Sequence, residues 1–219
     1  MNVILLLSAG VGKRFGASLP KQYQPLCGRP VVQYVLDAAL RAPSVDEIVI
    51  VMDPAYKDFL HAPDDPRLHY TPGGRERLDS VRNGLDCIVG LDGECDKLMI
   101  LQAVNPFVTT EMIETYFSLL DEYDAVTTAE KCPGELFNRE KYEKLDRNRY
   151  YFCQSPEAFR FRDLNRWLDV HSPYSELIYH YPGEPKVCFY TEFHNNVKLT
   201  YMSDLQFAEF LMQNKPTQS

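Results

Sequence analysis

Short uninterrupted apolar runs alternate along this chain with stretches in which apolar residues return every three or four positions. Val3 to Leu7 is the first run, too short for a useful helix and suited to a buried strand. From 31 to 42 the period changes: Val32, Val35, Leu36, Ala39 and Leu40 fall on one helical face. Glu47 to Met52 (EIVIVM) is a second strand, stopped by Asp53-Pro54, and a polar, Pro-rich passage runs on to Arg67. Leu68 to Thr71 is a short third strand leading into Pro72-Gly73-Gly74. Leu78 to Val89 reads as a helix, with Asp79 or Ser80 near its start and Val81, Leu85 and Ile88 on one face. Lys97 to Leu101 is a fourth strand and Asp124 to Ala129 a fifth. Between them lies the helix EMIETYFSLL, capped by Thr109 or Thr110, with Glu111 set against its positive end. Strands alternating with helices predict a parallel sheet with right-handed crossovers and ligands beyond the carboxyl ends of the strands.

The rhythm breaks at 130–153, which is charged, aromatic and without helical period. This segment is expected to be a protruding arm. A short helix over 164–170 and a late strand over 186–192 follow. Ser203 is expected to cap the closing helix DLQFAEFLMQ, and the last five residues to fray. The expectation is one domain over 1–219, α/β in class: a Rossmann-like, mostly parallel sheet sandwiched by helices, with a protruding β-arm.

Composition narrows the function classes. At 219 residues and a formal charge of −8, the chain lacks the basic face that nucleic acid requires. No apolar run approaches the roughly 20 residues needed to span a bilayer, and residues 1–7 lack the basic flank of a signal peptide. Cysteines 27, 87, 95, 132, 153 and 188 form no CxxC pair, which fits reduced thiols in a cytoplasmic protein.

The candidate chemistry sits at the strand ends. Ser8, Ala9, Gly10, Gly12 and Gly16 follow the first strand, and small residues there let consecutive backbone N–H groups converge on an anion. Lys13, Arg14 and Lys21 add three cations. The spacing is neither a dinucleotide fingerprint nor a P-loop, yet a strand feeding a Gly-rich, cationic turn suits a nucleoside triphosphate. The pair Gly73-Gly74 supplies a second such turn.

Ser8-Ala9-Gly10-Val11-Gly12-Lys13-Arg14 followed by Pro20-Lys21-Gln22-Tyr23 resembles the start of the methylerythritol phosphate cytidylyltransferases and their relatives, the ribitol phosphate cytidylyltransferases. Three later segments agree in order and approximate spacing: Gly73 to Arg77 with Ser80-Val81, Gln154-Ser155-Pro156 with Phe159, and Asn196 to Thr200 with Asp204-Leu205. The resemblance implies a CTP-dependent transfer of CMP to a small phosphorylated polyol, with release of pyrophosphate. It implies that Leu7, Ser8, Ala9, Gly10, Val11 and Gly12 cradle the triphosphate while Arg14, Lys21 and Lys198 act on its phosphates. Gly74, Arg75 and Ser80 would read the cytosine, with Gln102 and Ala103 beside the nucleotide. The resemblance further implies Mg²⁺, held mainly by the triphosphate, a place in isoprenoid biosynthesis, and a homodimer that exchanges its arms.

The chain also departs from the family pattern. The His-Asp-Ala-Ala-Arg-Pro segment is matched by Leu101-Gln102-Ala103-Val104-Asn105-Pro106. Gln102 replaces the family aspartate and removes a negative charge that would hold a metal; Asn105 replaces an arginine expected to bind the acceptor. Arg147 matches the arm arginine and Ser155 stands for a threonine, while His171 to Tyr174 carries an intruding proline. The expected acceptor is thus methylerythritol phosphate, ribitol phosphate or a related compound. The competing expectation is a catalytically impaired family member that binds nucleotide or serves as an assembly subunit.

Overall fold

The computed structural model describes residues 1–12 and 15–214; Lys13, Arg14 and 215–219, the tail expected to fray, lie outside the described residues. In chain order the strands and helices are β1 (Asn2–Leu7), β2 (Pro25–Leu26), β3 (Arg29–Pro30), α1 (Val31–Arg41), β4 (Glu47–Val51), β5 (Leu68–Thr71), α2 (Arg77–Val89), β6 (Lys97–Gln102), α3 (Thr110–Leu119), β7 (Ala125–Lys131), β8 (Leu136–Asn138), β9 (Glu143–Leu145), β10 (Tyr151–Arg160), α4 (Phe161–Trp167), β11 (Val187–Tyr190) and α5 (Met202–Gln213). Seven strands form one sheet in the order β11-β7-β10-β6-β1-β4-β5. β1 pairs parallel with β4 and β6, β4 with β5, and β7 with β11, whereas β10 runs antiparallel between β6 and β7.

The alternation of side chains along β1 divides the core. Ile4 and Leu6 pack with α1 and α3, through Val35, Leu36, Ile113 and Tyr116. Val3 and Leu5 turn the other way, onto Val81, Leu85 and Ile88 of α2. That face is tight: a Cβ on Gly84 would lie 2.3 Å from a Leu5 methyl, so glycine is what lets α2 close on the strand. A third cluster joins Phe15, Leu26, Val31, Val104, Leu199, Leu205 and Ala208, seating the first loop, the β2–β3 hairpin and α5 against one another.

Local chemistry settles the helix starts. Thr109, of the two candidates, caps α3, its hydroxyl accepting from the Met112 N–H at 3.2 Å. α2 opens with a reciprocal box between Glu76 and Asp79. α5 begins earlier than expected, behind Tyr201, with Asp204 accepting from the Thr200 and Tyr201 N–H groups. Ser203 therefore lies inside its first turn and is not the cap. The helix expected over 164–170 is Phe161–Trp167.

The largest correction concerns β10. It lacks an alternating pattern because Pro156 and Glu157 interrupt it, and the register slips between Gln154 and Glu157. The arm is correspondingly narrower than 130–153. Tyr151 already pairs with Lys131 in the sheet, and the small hairpin β8–β9 carries the protruding part. Among the described residues no helix is long and apolar enough to cross a membrane, and all six cysteines are free thiols.

Candidate nucleotide site

β1, β4 and β6 end side by side, and the loop after β1 is held open by three ties. The Ser8 N–H extends the ladder to the Val51 carbonyl at 2.7 Å. Gln22, buried below the loop, donates from Nε2 to the carbonyls of Ser8 and Gly10 at 2.7 and 2.9 Å. The Tyr23 hydroxyl accepts from Ser8 Oγ at 3.1 Å, and burial raises its pKa. With the Ser8 and Gly10 carbonyls occupied by Gln22, neither presents its oxygen to an incoming anion, the polarity such a loop needs. Gly10 and Val11 are exposed at the rim, and Gly12 takes φ +64°, a left-handed conformation natural to glycine.

Sequence-distant segments converge on this loop. Lys21 donates from Nζ to the Leu199 carbonyl at 2.7 Å, and the Leu199 N–H donates to the Val104 carbonyl at 2.9 Å. Lys198, exposed, is the residue just before Leu199 on that segment. The Ala103 N–H donates to the Leu7 carbonyl at 3.0 Å. The segments that carry Leu7 to Gly12, Lys21, Gln102, Ala103 and Lys198 thus meet at one edge of the sheet. Arg14 lies outside the described residues.

The second glycine turn touches the first. A Cβ on Gly73 would lie 2.2 Å from the Ala9 Cβ, so the two turns meet with only a hydrogen between them. The Gly74 N–H donates to Ser80 Oγ at 3.0 Å, and that hydroxyl donates in turn to the Glu76 carbonyl at 3.2 Å. Ser80 therefore shapes the turn from inside, while Arg75 is exposed at its tip.

On the other flank an amide network replaces the charges of the family pattern. Gln102 Nε2 donates to Ser155 Oγ at 2.5 Å. Asn105 donates from Nδ2 to Asn196 Oδ1 at 2.9 Å, and Asn196 Nδ2 donates to Gln154 Oε1 and the Ser155 carbonyl at 3.0 and 2.9 Å. Asn105, 1% exposed, keeps its Oδ1 buried and without a hydrogen bond. The network borders an open cleft of about 640 Å³ whose wall includes Thr128, Glu130, Lys131, Gln154, Glu192 and Asn196. Arg147 is not part of this gathering: on the arm, it donates to the Pro133 carbonyl at 3.1 Å and lies 3.9 Å from Glu135. No group of three or more His, Cys, Asp or Glu side chains able to hold a metal occurs among the described residues.

Residue-by-residue reading of the sequence missed the roles of Gln22, Tyr23, Gln154 and Asn196. Each is an uncharged polar side chain whose use depends on partners far along the chain. Asn196→Ala is expected to lower stability by about 1–3 kcal/mol, because it strands the buried Asn105 amide. Denaturant titration, reading the midpoint at unchanged m-value, checks this.

A model of the 2-C-methyl-D-erythritol 4-phosphate cytidylyltransferase (IspD) family matches residues 2–214. The 2-C-methyl-D-erythritol 4-phosphate cytidylyltransferase of Chlamydia felis is 27% identical, over 95% of this chain and 97% of its own. The bifunctional ribulose 5-phosphate reductase/CDP-ribitol pyrophosphorylase Bcs1 of Haemophilus influenzae is 29% identical, over 98% of this chain and 48% of its own. Among solved structures, the 4-diphosphocytidyl-2C-methyl-D-erythritol synthase of Anaerococcus prevotii superposes with a TM-score of 0.80, covering 97% of this chain and 96% of that one. At 22% identity this is a likeness of fold.

Proposed function

This chain belongs to the 2-C-methyl-D-erythritol 4-phosphate cytidylyltransferase family, and we propose that it transfers CMP from CTP to a small phosphorylated polyol. The acceptor's phosphate oxygen attacks the α-phosphorus, the bond from that phosphorus to the β-phosphate bridge breaks, and pyrophosphate leaves with the electron pair. The acceptor is already an anion, so no covalent nucleophile is needed; the protein must hold two repelling anions in line and neutralise the charge that builds up.

The observation that carries this reading is the Lys21–Leu199–Val104 chain of contacts, which packs two lysine-bearing segments against the loop after β1. In this reading the 7–12 loop and Lys21, with Arg14 and Lys198, act on the phosphates. Gly74 and Arg75 meet the base, and Ser80 acts by fixing their turn. Gln102, its amide committed to Ser155, offers at most a neutral oxygen, and among the described residues no group of three or more His, Cys, Asp or Glu could hold a metal. Mg²⁺, where it takes part, would come with CTP and be held mainly by the triphosphate, supplying charge neutralisation on the phosphates.

The cleft lined by Gln154 and Asn196 suits a hydroxylated acceptor, and Asn105, buried behind Asn196, holds that wall in place where the family pattern has a charge. Methylerythritol phosphate, ribitol phosphate and related polyol phosphates all meet that description. The reading of a binding-only subunit is not favoured, since the family and the relatives matched bear the names of enzymes. Calorimetry with CTP, with and without Mg²⁺ and against ATP, GTP and UTP, tests the nucleotide half. Selective CTP binding supports it, and an acceptor screen reporting pyrophosphate release then identifies the polyol. Failure to bind any nucleotide overturns it.

Arg147, held away from the site within its own chain, would reach a neighbouring site if two copies exchanged arms. Phe137, Tyr142, Tyr150, Phe152 and Phe189 leave aromatic surface exposed on the arm and its edge of the sheet, which an arm-exchanged homodimer would cover. Light scattering at micromolar protein is expected to give twice the chain mass, and a monomer throughout that range refutes the arrangement.

A further inference from the structure

Glu157 lies in mid-sheet on β10, opposite Ile100 of β6 and Thr127 of β7, and is 0% exposed. A carboxylate there forfeits hydration worth several kcal/mol and must find partners. Its two oxygens accept from the Leu177 and Ile178 N–H groups at 3.2 and 3.1 Å. The paired cation is Arg77, the first residue of α2, whose Nη2 lies 3.6 Å from Glu157 and 3.8 Å from Glu176. Arg77 Nη1 also donates to the Ser175 carbonyl.

One side chain therefore joins three segments: β10 two residues beyond Ser155, the 175–178 stretch, and the start of α2. The last of these continues directly from the Gly73–Glu76 turn that rests on Ala9. The bonding is incomplete in a telling way. Arg77 Nε and Nη2 and Glu176 Oε2 are buried with no hydrogen-bond partner, and the charge separations exceed the roughly 2.7–2.9 Å of a closed, charge-assisted bond. A pair built only for stability is expected to saturate its donors.

We propose that Glu157, acting through Arg77, is a positioning residue for the nucleotide: it sets the Gly73–Ser80 turn at the distance from the Gly10–Gly12 loop that a bound cytidine requires. This inference rests on the CTP reading above and adds a residue that no resemblance supplied.

The arrangement also predicts a proton dependence. Burial pushes the Glu157 carboxyl up from 4.5 to about 7, against the pull of Arg77 and with a further push from Glu176. The remaining titratable groups coupled to it are Cys153 and Tyr179 beside it and Tyr116 of α3. Because the shift is upward, Glu157 is neutral below about pH 7 and holds Arg77 as an anion only above it. CTP affinity should therefore rise with pH through that midpoint.

The test is CTP affinity by calorimetry at about pH 6 and about pH 8 for the wild type and Glu157→Gln. The γ-phosphate of CTP titrates in the same range, but its contribution is common to both proteins and cancels in the comparison. The wild type is expected to gain about fivefold more affinity on raising the pH than the variant does. At the higher pH the variant should bind CTP about tenfold more weakly, with kcat at saturating CTP changed less than threefold. Parallel pH curves for the two proteins overturn the proposal, whatever their offset, because a packing role alone would move them together. Should Glu157→Gln fail to fold, Arg77→Lys reads the same lock, and unchanged CTP affinity in it overturns the proposal. Wild type that binds no CTP at either pH instead defeats the nucleotide reading itself, so the two failures are told apart by the wild-type control.

Discussion

Lys21→Ala is expected to lower kcat/KM for CTP by about 10²–10³, the usual effect of removing one group that meets charge developing in a transition state. The chain as a whole carries a formal charge of −8, so the field that draws in a triphosphate must be local. Lys21 stands at its centre because the short 3₁₀ turn Lys21–Tyr23 places it under the Gly10–Gly12 loop while its neighbour Gln22 organises that loop's carbonyls. The side chain has a second duty: Nζ donates to the Leu199 carbonyl, so its loss also loosens the segment that carries Lys198. The structural part of the effect is small, since one hydrogen bond contributes about 0.5–1.5 kcal/mol. In a protein of this size that corresponds to a fall in Tm of a few degrees. A variant with a nearly native Tm and kcat/KM lowered at least a hundredfold fits the assignment of Lys21 to the phosphates. Activity within threefold of wild type removes Lys21 from that role and leaves it as a strut for the 196–200 segment.

The sequence made the first half of the fold legible because there each element has a uniform environment. β1 and β4 are apolar along their whole buried lengths and β6 through its centre, Leu98 to Leu101, and α1 and α3 keep one apolar face each, so their periods announce them to within a residue or two. β10 was hidden for a physical reason. A strand with Pro156 and a fully buried Glu157 at its centre violates the rules that make strands recognisable. It persists because Arg77, on a helix eighty positions earlier, and two backbone N–H groups twenty positions later receive the carboxylate. No local window contains those partners. The site divides in the same way. Glycines and lysines mark an anion loop by composition, whereas the amide network of Gln102, Asn105, Gln154 and Asn196 exists only once three separate segments meet. Resemblance supplied the order of the motifs; that the two glycine turns touch at Ala9 and Gly73 emerges only from the folded chain.

That contact gives the second large effect, and one that can be reversed. Gly73→Ala is expected to weaken CTP binding at least tenfold, about 1.4 kcal/mol. The added methyl would lie 2.2 Å from the Ala9 Cβ, far inside contact distance, so one of the two turns must move. The neighbours decide which. Ala9 lies within a loop pinned on either side of it by Gln22, Tyr23 and the ladder to Val51. The Gly73 turn is held at Gly74 by the Ser80 hydroxyl and beyond it by the incompletely bonded Arg77. The second turn therefore yields, and with it the groups proposed to read the base. The phosphate contacts stay in place, so discrimination between CTP and UTP should fall together with affinity. Ala9→Gly in the same protein removes the clash: the next atoms a Cβ at 73 would meet are Ser80 Oγ at 3.4 Å and the Ala9 Cα at 3.6 Å, ordinary contacts. The double variant should thus regain most of the lost affinity although each change alone is neutral or harmful, a coupling of the kind double-mutant cycles measure between touching residues. Calorimetric Kd values for CTP and UTP across the four proteins provide the check. Additive losses, with no recovery in the double variant, would mean that the spacing of the two glycine turns does not set nucleotide recognition.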